Sequence, residues 1–373
     1  MRTLPALLFL TLSLVAARAQ EDVNLDELAT IENPELIQFS TEINVVSIPV
    51  VVTGPGDVYI NGLEKSDFTL IDNGVVQEIK DFDVSFQPIS MVICVQTSGR
   101  IESLLGELQK TAYLFTQSVL GEFGQTAIIG FDSRIKVLSE FTNDPKKIDR
   151  VLTDLRVGPN GIRVSDAAYE GIRLLLKRPQ THKRVIVVIS EGQDNGSQIH
   201  LGETIRTAQL NGIQIYPIYL STLKARLKDP PAVPNRPYPP GISPLPAAPG
   251  SVSTPTTMQQ SRNAATPNMI PVIADLVVGV KNLVFKDALG ALSSGTGGRN
   301  YKPLTEEGLQ ESIVKIGEDL HSQYLLTYSP NNLNDRGIYH EVEIRVPYSN
   351  ADVRYRPGYL YGPRPVLDGD PAP

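Results

Sequence analysis

The run Arg184-Val185-Ile186-Val187-Val188-Ile189 constrains this chain more than any other segment. Consecutive β-branched aliphatic residues cannot form a strand with one wet face. They predict a strand covered on both faces, as occurs in a parallel sheet packed between helices. Neighbouring segments repeat that rhythm. Met91-Val92-Ile93-Cys94-Val95 reads as a second covered strand, and Thr126 to Phe131 as a third. Leu104, Leu108, Ala112, Phe115 and Val119 recur at helical spacing, and helical patterns follow near 145–156 and 164–177. A helix around 200–212 stops at Asn211-Gly212, and Ile215 to Leu220 is another strand. Leu289 to Leu292 looks helical, and Leu309, Ile313, Ile316 and Leu320 mark a last amphipathic helix. Strands alternating with helices predict an α/β domain over residues 89–321, a doubly wound, mostly parallel sheet of Rossmann-like type.

Both flanks of this domain read as β structure. In residues 40–88, Ile43, Val45, Val46, Ile48, Val50 and Val51 lead to the turn cluster Thr53-Gly54-Pro55-Gly56, a short strand is expected at Val58–Ile60, and Asp72-Asn73-Gly74 marks a hairpin. In residues 322–361, strands are expected at Gln323–Tyr328, at the alternating His340–Val346 with His340 on a solvated face, and at Val353–Tyr355. Each flank alone is small for a stable core. Either the two are independent appendages, or they pair into one small β-sandwich with the α/β domain inserted. Unpaired strand edges favour the second arrangement. Residues 229–270 interrupt the pattern, since eleven of them are proline and such composition cannot bury a core. Residues 20–39 read as a tether and 362–373 as a disordered tail.

Arg2, the apolar stretch Leu4 to Val15 and the small-x-small triplet Ala17-Arg18-Ala19 read as a signal peptide over residues 1–19. The chain is therefore expected to be exported, to the periplasm or to the cell envelope and beyond, with no transmembrane segment after cleavage. A formal charge of -7 over 373 residues argues against a general nucleic-acid binder. The single cysteine, Cys94, has no partner for an internal disulfide and reads as a small buried hydrophobe.

In an open parallel sheet, ligands bind beyond the carboxyl ends of the strands. Three segments converge there: Gln96-Thr97-Ser98-Gly99-Arg100, Pro159-Asn160-Gly161-Ile162-Arg163-Val164 and Ser190-Glu191-Gly192-Gln193-Asp194. Asp132 and Asp194 face the same edge, as recognition residues or as turn formers. The four histidines, His182, His200, His321 and His340, form no zinc-type pair, and there is no G-x-S-x-G elbow. No nucleophile–base pair is legible, so no catalytic residue is assigned and no enzyme is expected.

The Asp67-Phe68 and Asp72-Asn73-Gly74 segment, the Thr97-Ser98-Gly99 and Thr296-Gly297-Gly298 turns, and the strand Gln323-Tyr324 to Tyr328-Ser329-Pro330 occur in an order that resembles bacterial secreted von Willebrand factor A-domain proteins of the acidobacterial type. The resemblance covers most of residues 40–360. It implies a von Willebrand A-like fold and a role in adhesion or protein binding. The family's metal-ion-dependent adhesion site uses Asp-x-Ser-x-Ser, a Thr and an Asp. Here Gln96 stands at the first Asp, Ser98 is kept, Arg100 replaces the second Ser, Ile162 falls at the Thr, and Glu191 replaces the last Asp. The loss of hard oxygen ligands predicts weak or no Mg²⁺ binding and no cofactor. Retention of Mg²⁺ through Ser98, Glu191 and waters is the alternative. Arg100 either pairs with Glu191 in place of the metal or faces solvent. The resemblance thus implies a module with a degenerate adhesion site, recognising a protein partner through Gln96, Ser98, Arg100, Ile162, Glu191, Asp132 and Asp194. A metal-dependent adhesion module and an inert envelope protein are the rival readings.

Overall fold

The computed structural model describes residues 45–84, 86–99, 108, 111–220, 287–331 and 339–360. The expected signal peptide, tether, proline-rich excursion and tail, and Arg100, lie outside these residues.

The central sheet contains β6 (Ile89–Gln96), β7 (Gln125–Phe131), β8 (Ile135–Thr142), β9 (Lys183–Ser190) and β10 (Ile213–Tyr219) in the order β10-β9-β6-β7-β8. The first three pairings are parallel, and β8 adds antiparallel to β7. The sheet is therefore mixed. The β8 sequence was silent because its apolar residues neither alternate nor run together, and Val137 and Leu138 are exposed on it. An edge strand needs no covered face.

The helices are α1 (Ala112–Leu114), continued by a π-helical turn at Phe115–Leu120, α2 (Pro145–Thr153), α3 (Val164–Leu176), α4 (Leu201–Leu210), α5 (Ala288–Thr296) and α6 (Glu306–His321). Met91, Ile93, Val187 and Ile189 pack with Phe115, Ile313 and Ile316 in one core. Val92, Cys94, Ile186 and Val188 pack with Ala167, Ile172, Ile205 and Leu289 in another. The side chains of β9 thus alternate between two apolar layers, which is why that strand has no polar phase. Each fully buried aliphatic contributes roughly 1.5–3 kcal/mol.

The flanking strands are β1 (Val46–Gly54), β2 (Val58–Tyr59), β3 (Thr69–Asp72), β4 (Val75–Gln77), β5 (Ile79–Asp83), β11 (Tyr324–Tyr328), β12 (Tyr339–Arg345), β13 (Asp352–Arg354) and β14 (Gly358–Leu360). One sheet runs β13-β1-β11-β5, with β2 also on β1, and the other runs β14-β12-β3-β4. Strands from before the α/β segment pair with strands from after it, as in Ile48 opposite Leu326 and Leu70 opposite Ile344. One core joins Ile48, Val50, Leu70, Leu326 and Val342. Asn73 (φ 48°) and Gly74 (φ 79°) form the left-handed turn between β3 and β4 that their sequence predicts.

His340 corrects an expectation. It lies on the same strand face as Val342 and Ile344 and is buried, not solvated. Its Nδ1 is 2.9 Å from Asp72 Oδ1, and its ring stacks on Tyr359 at 5.0 Å. Asp72 Oδ2 accepts from Tyr328 Oη (2.7 Å) and Tyr359 Oη (2.8 Å). A second buried carboxylate joins the α/β segment to the flanking strands. Asp319 of α6 accepts through Oδ1 from Tyr59 Oη of β2 (2.9 Å) and from Arg354 Nη2 of β13 (2.6 Å).

Lys183 opens β9 and donates to the Leu320 carbonyl in the last turn of α6 at 2.6 Å, where the helix dipole favours a cation. Burial nevertheless pushes its pKa down from 10.5 to about 8, against the attraction of Asp83. Between pH 8 and 10.5 the unfolded chain then holds more protons at this residue than the folded one, so stability rises with pH, by up to about 1.4 kcal/mol per unit. Urea unfolding of the wild type and Lys183→Met across this window should show that rise in the wild type only. Parallel pH profiles would overturn the assignment.

Candidate functional site

Gln96 ends β6 in the middle of the sheet and is fully buried. Its Oε1 accepts from Ser190 Oγ (2.6 Å) and from the Glu191 amide (3.0 Å). Its Nε2 donates to Ser98 Oγ (2.7 Å) and reaches Glu191 Oε1 at 3.5 Å. One amide therefore uses both acceptor and both donor directions to tie the ends of β6 and β9 together. Gln96, Ser98 and Glu191 converge as their spacing suggested, with Gln96 as the hub.

Asp132 sits one strand over, at the end of β7. Its Oδ1 accepts from the Arg134 amide (2.9 Å) and Ser133 Oγ (3.3 Å), and Thr97 Oγ1 donates to its Oδ2 at 3.5 Å. Asp132 is thus chiefly the organiser of the β7–β8 turn. The approach to α3 lies alongside: Ser98 bridges Gly158, and the Gly158 amide donates to the Thr97 carbonyl at 2.7 Å.

Ile162 and Asp194 have other hydrogen-bond partners than the Gln96 hub. The Ile162 side chain is in the core under α3, and only its backbone faces the edge. Its amide donates to Asn195 Oδ1 (3.2 Å), and its carbonyl accepts from the Asn195 amide (3.1 Å). Asp194 caps α3, accepting from the Ser165 amide (3.0 Å) and from the Ser197 amide (3.2 Å). Asp166 returns the lock by accepting from the Gln198 amide (3.0 Å) and the Ile199 amide (2.9 Å), and from Arg163. The sequence shows no Ser, Thr, Asn or Asp directly before Val164, so this remote capping from the 194–199 loop had no local signal.

Two features at this and the opposite edge were missed in the sequence. An open cleft of about 570 Å³ lies among Ser133, Asn160–Arg163, Asn195, Gly196 and Gln198. At the amino edge, Ser90 Oγ and His182 Nδ1 are 2.9 Å apart, a nucleophile–base spacing whose partners are 92 residues apart in the chain. Ser90 is fully buried, and Arg178 Nε donates to the same Oγ at 3.2 Å. Burial and the cations Arg178 and Arg184 push the His182 pKa down, which suits a neutral acceptor ring in a polar bolt. Among the described residues no group of three or more His, Cys, Asp or Glu side chains is placed to hold a metal ion.

Residues 91–193 match the von Willebrand factor type A domain. The matched segment begins in β6 and ends in the loop after β9, and it includes Gln96, Ser98, Asp132 and Glu191. No curated protein matches the chain. Similar solved structures include an aerotolerance-related membrane protein from Bacteroides fragilis carrying multiple mutations to serines (12% identity, TM-score 0.38, covering 62% of this chain and 98% of that one). The conserved hypothetical protein BatB from Bacteroides thetaiotaomicron is similar at 12% identity and TM-score 0.37, covering 62% of this chain and 99% of its own. Proximal thread matrix protein 1 from the mussel byssus, with a zinc-occupied MIDAS motif, is similar at 11% identity and TM-score 0.40, covering 67% of this chain and 49% of its own. Among the described residues of this chain no helix is long and apolar enough to cross a membrane.

Proposed function

We propose that this chain is an exported, non-enzymatic protein-binding module. Its α/β sheet is doubly wound and inserted in a β-sandwich, and it recognises its partner at the carboxyl edge without a divalent cation. The match to the von Willebrand factor type A domain supports a protein-interaction role. The observation that carries the metal-free reading is the Gln96 amide. Ser98 Oγ and one carboxylate oxygen of Glu191, Oε1, both face the Gln96 Nε2 donor. A hard cation needs several oxygens directed at it, and here an N–H donor points at the same two atoms. The residues present do not fit the ion. The Ser90 Oγ beside His182 is buried and held by Arg178, which argues against that pair serving as a nucleophile and base.

The test is thermal unfolding of the full chain with Mg²⁺, Mn²⁺ or Ca²⁺ and with a chelator. A ligand bound only by the folded state raises the melting temperature, so identical curves are expected in all four conditions. A saturable upward shift that vanishes in Glu191→Ala would return the site to metal-dependent adhesion.

A further inference from the structure

We infer that the cleft between Ser133, Asn160–Arg163, Asn195, Gly196 and Gln198 is a recognition pocket for an uncharged, amide-bearing peptide segment of the partner. This rests on the carboxyl edge being the binding surface and names the chemistry it reads. The cleft adjoins the Gln96 hub, since a Cβ built on Gly99 would lie 3.3 Å from Asn160 Oδ1.

The ionic groups around the cleft are committed to the protein. Asp166 holds the Gln198 and Ile199 amides through one oxygen, and the Gln198 amide and Arg163 through the other. Asp194 uses one oxygen for Ser165 and the other for Ser197. Arg163 pairs with Asp166 and donates through Nη1 to the Ser133 carbonyl at 3.3 Å. Among the described lining residues a cationic ligand thus meets no uncommitted carboxylate, and an anionic one meets only a cation already paired with Asp166, so that its desolvation would go largely uncompensated.

Three primary amides remain. Among the described residues Asn160 and Gln198 make no side-chain hydrogen bond, and Asn195 uses only its oxygen, accepting from the Ile162 amide. A primary amide presents an acceptor and two donors in one plane, and another amide is its natural complement. No aromatic ring lines the cleft to stack on a sugar face. The walls are also prebuilt. A Cβ at Gly161 would lie 2.8 Å from Ser133 Cβ, so glycine lets the two loops touch, and the reciprocal Ile162–Asn195 hydrogen bonds fix the third. Little ordering remains to oppose binding.

The test is NMR titration of the isotopically labelled full chain with N-acetylglycylglycinamide, sodium acetate and methyl α-glucoside, following the side-chain NH₂ signals of Asn160, Asn195 and Gln198. The diamide should shift all three saturably with millimolar affinity, within reach of about 50 mM ligand. Asn160→Ala and Gln198→Ala should each weaken it about five-fold, the loss of one amide hydrogen bond. Gln198 is exposed and neither side chain is hydrogen-bonded, so both variants should melt with the wild type. Tighter binding of acetate or the glucoside, or no saturable shift, would overturn the inference. So would diamide shifts confined to Ser98 and Gly99 and indifferent to both substitutions, although the carboxyl edge would then stand as the surface. The metal-free reading is judged separately by the melting experiment, which touches none of these amides.

Discussion

Replacing Asp319 with alanine is expected to destabilise the protein by about 3–5 kcal/mol, lowering the melting temperature on the order of 10 °C. The expectation follows from what the substitution strands. Asp319 is fully buried, and Arg354, four-fifths buried, donates to it at 2.6 Å. Burial favours the neutral form of Arg354, yet the neighbouring Asp319 carboxylate holds its pKa above the ordinary arginine value. Without the carboxylate a guanidinium stays in the interior with its charge uncompensated, and Tyr59 keeps only the longer bond to the Lys315 carbonyl at 3.5 Å. Removing both charges should cost much less than removing one, because well-packed apolar residues replace a buried ion pair at little penalty. Calorimetry of Asp319→Ala beside the double variant Asp319→Leu with Arg354→Met checks this. A double variant no more stable than the single one would show that shape, not charge, is what Asp319 supplies.

The second large effect is expected at Asp72, at the end of β3. Asp72→Ala removes a carboxylate acceptor shared by two tyrosine hydroxyls, which keep only their mutual contact at 3.3 Å, and a partner of His340. Each buried donor left unsatisfied costs about 1–3 kcal/mol, so a loss of about 3 kcal/mol or more is expected by urea unfolding. Asp72→Asn keeps one acceptor oxygen and should recover part of it. Asp72 and Asp319 share no hydrogen-bond partner, so their costs should add. A loss below 1 kcal/mol for Asp72→Ala would mean that its three partners find other partners or water.

These two carboxylates mark the boundary of what was legible in the chain. Local signals were readable where local physics decides. The Val185–Ile189 run announces a strand covered on both faces, and Asn73-Gly74 announces its turn through a left-handed backbone that few residues tolerate. Signals failed where a residue's environment is set by distant partners. Asp72 read as a turn residue, but the strand carrying His340 closes over it 268 residues later. The parity of His340 with Val342 and Ile344 was available as a warning, since alternate residues share a face. The site divides in the same way. Gln96, Ser98 and Glu191 could be placed together because strand ends of one sheet converge. That the Gln96 amide would face an oxygen of each depends on a side-chain orientation no spacing encodes. The cleft beside it is assembled from three loops and has no signature in any of them.

The strand pairing also decides how the molecule carries tension. The two connections into the α/β segment leave from β5 and β11, which are hydrogen-bonded neighbours, Asp83 lying opposite Leu325. The outer ends of the flanking strands are held by their own ladders, β1 on β11 and β13, and β12 on β14. Pulling on Val46 against Leu360 therefore loads those ladders together with the α/β segment, because Leu360 packs on the α/β core and Arg356 donates to the Gln209 carbonyl. A pull entering instead at the carboxyl edge of the α/β sheet would pass to the flanking strands through the β5–β11 clasp and the Asp319–Arg354 contact.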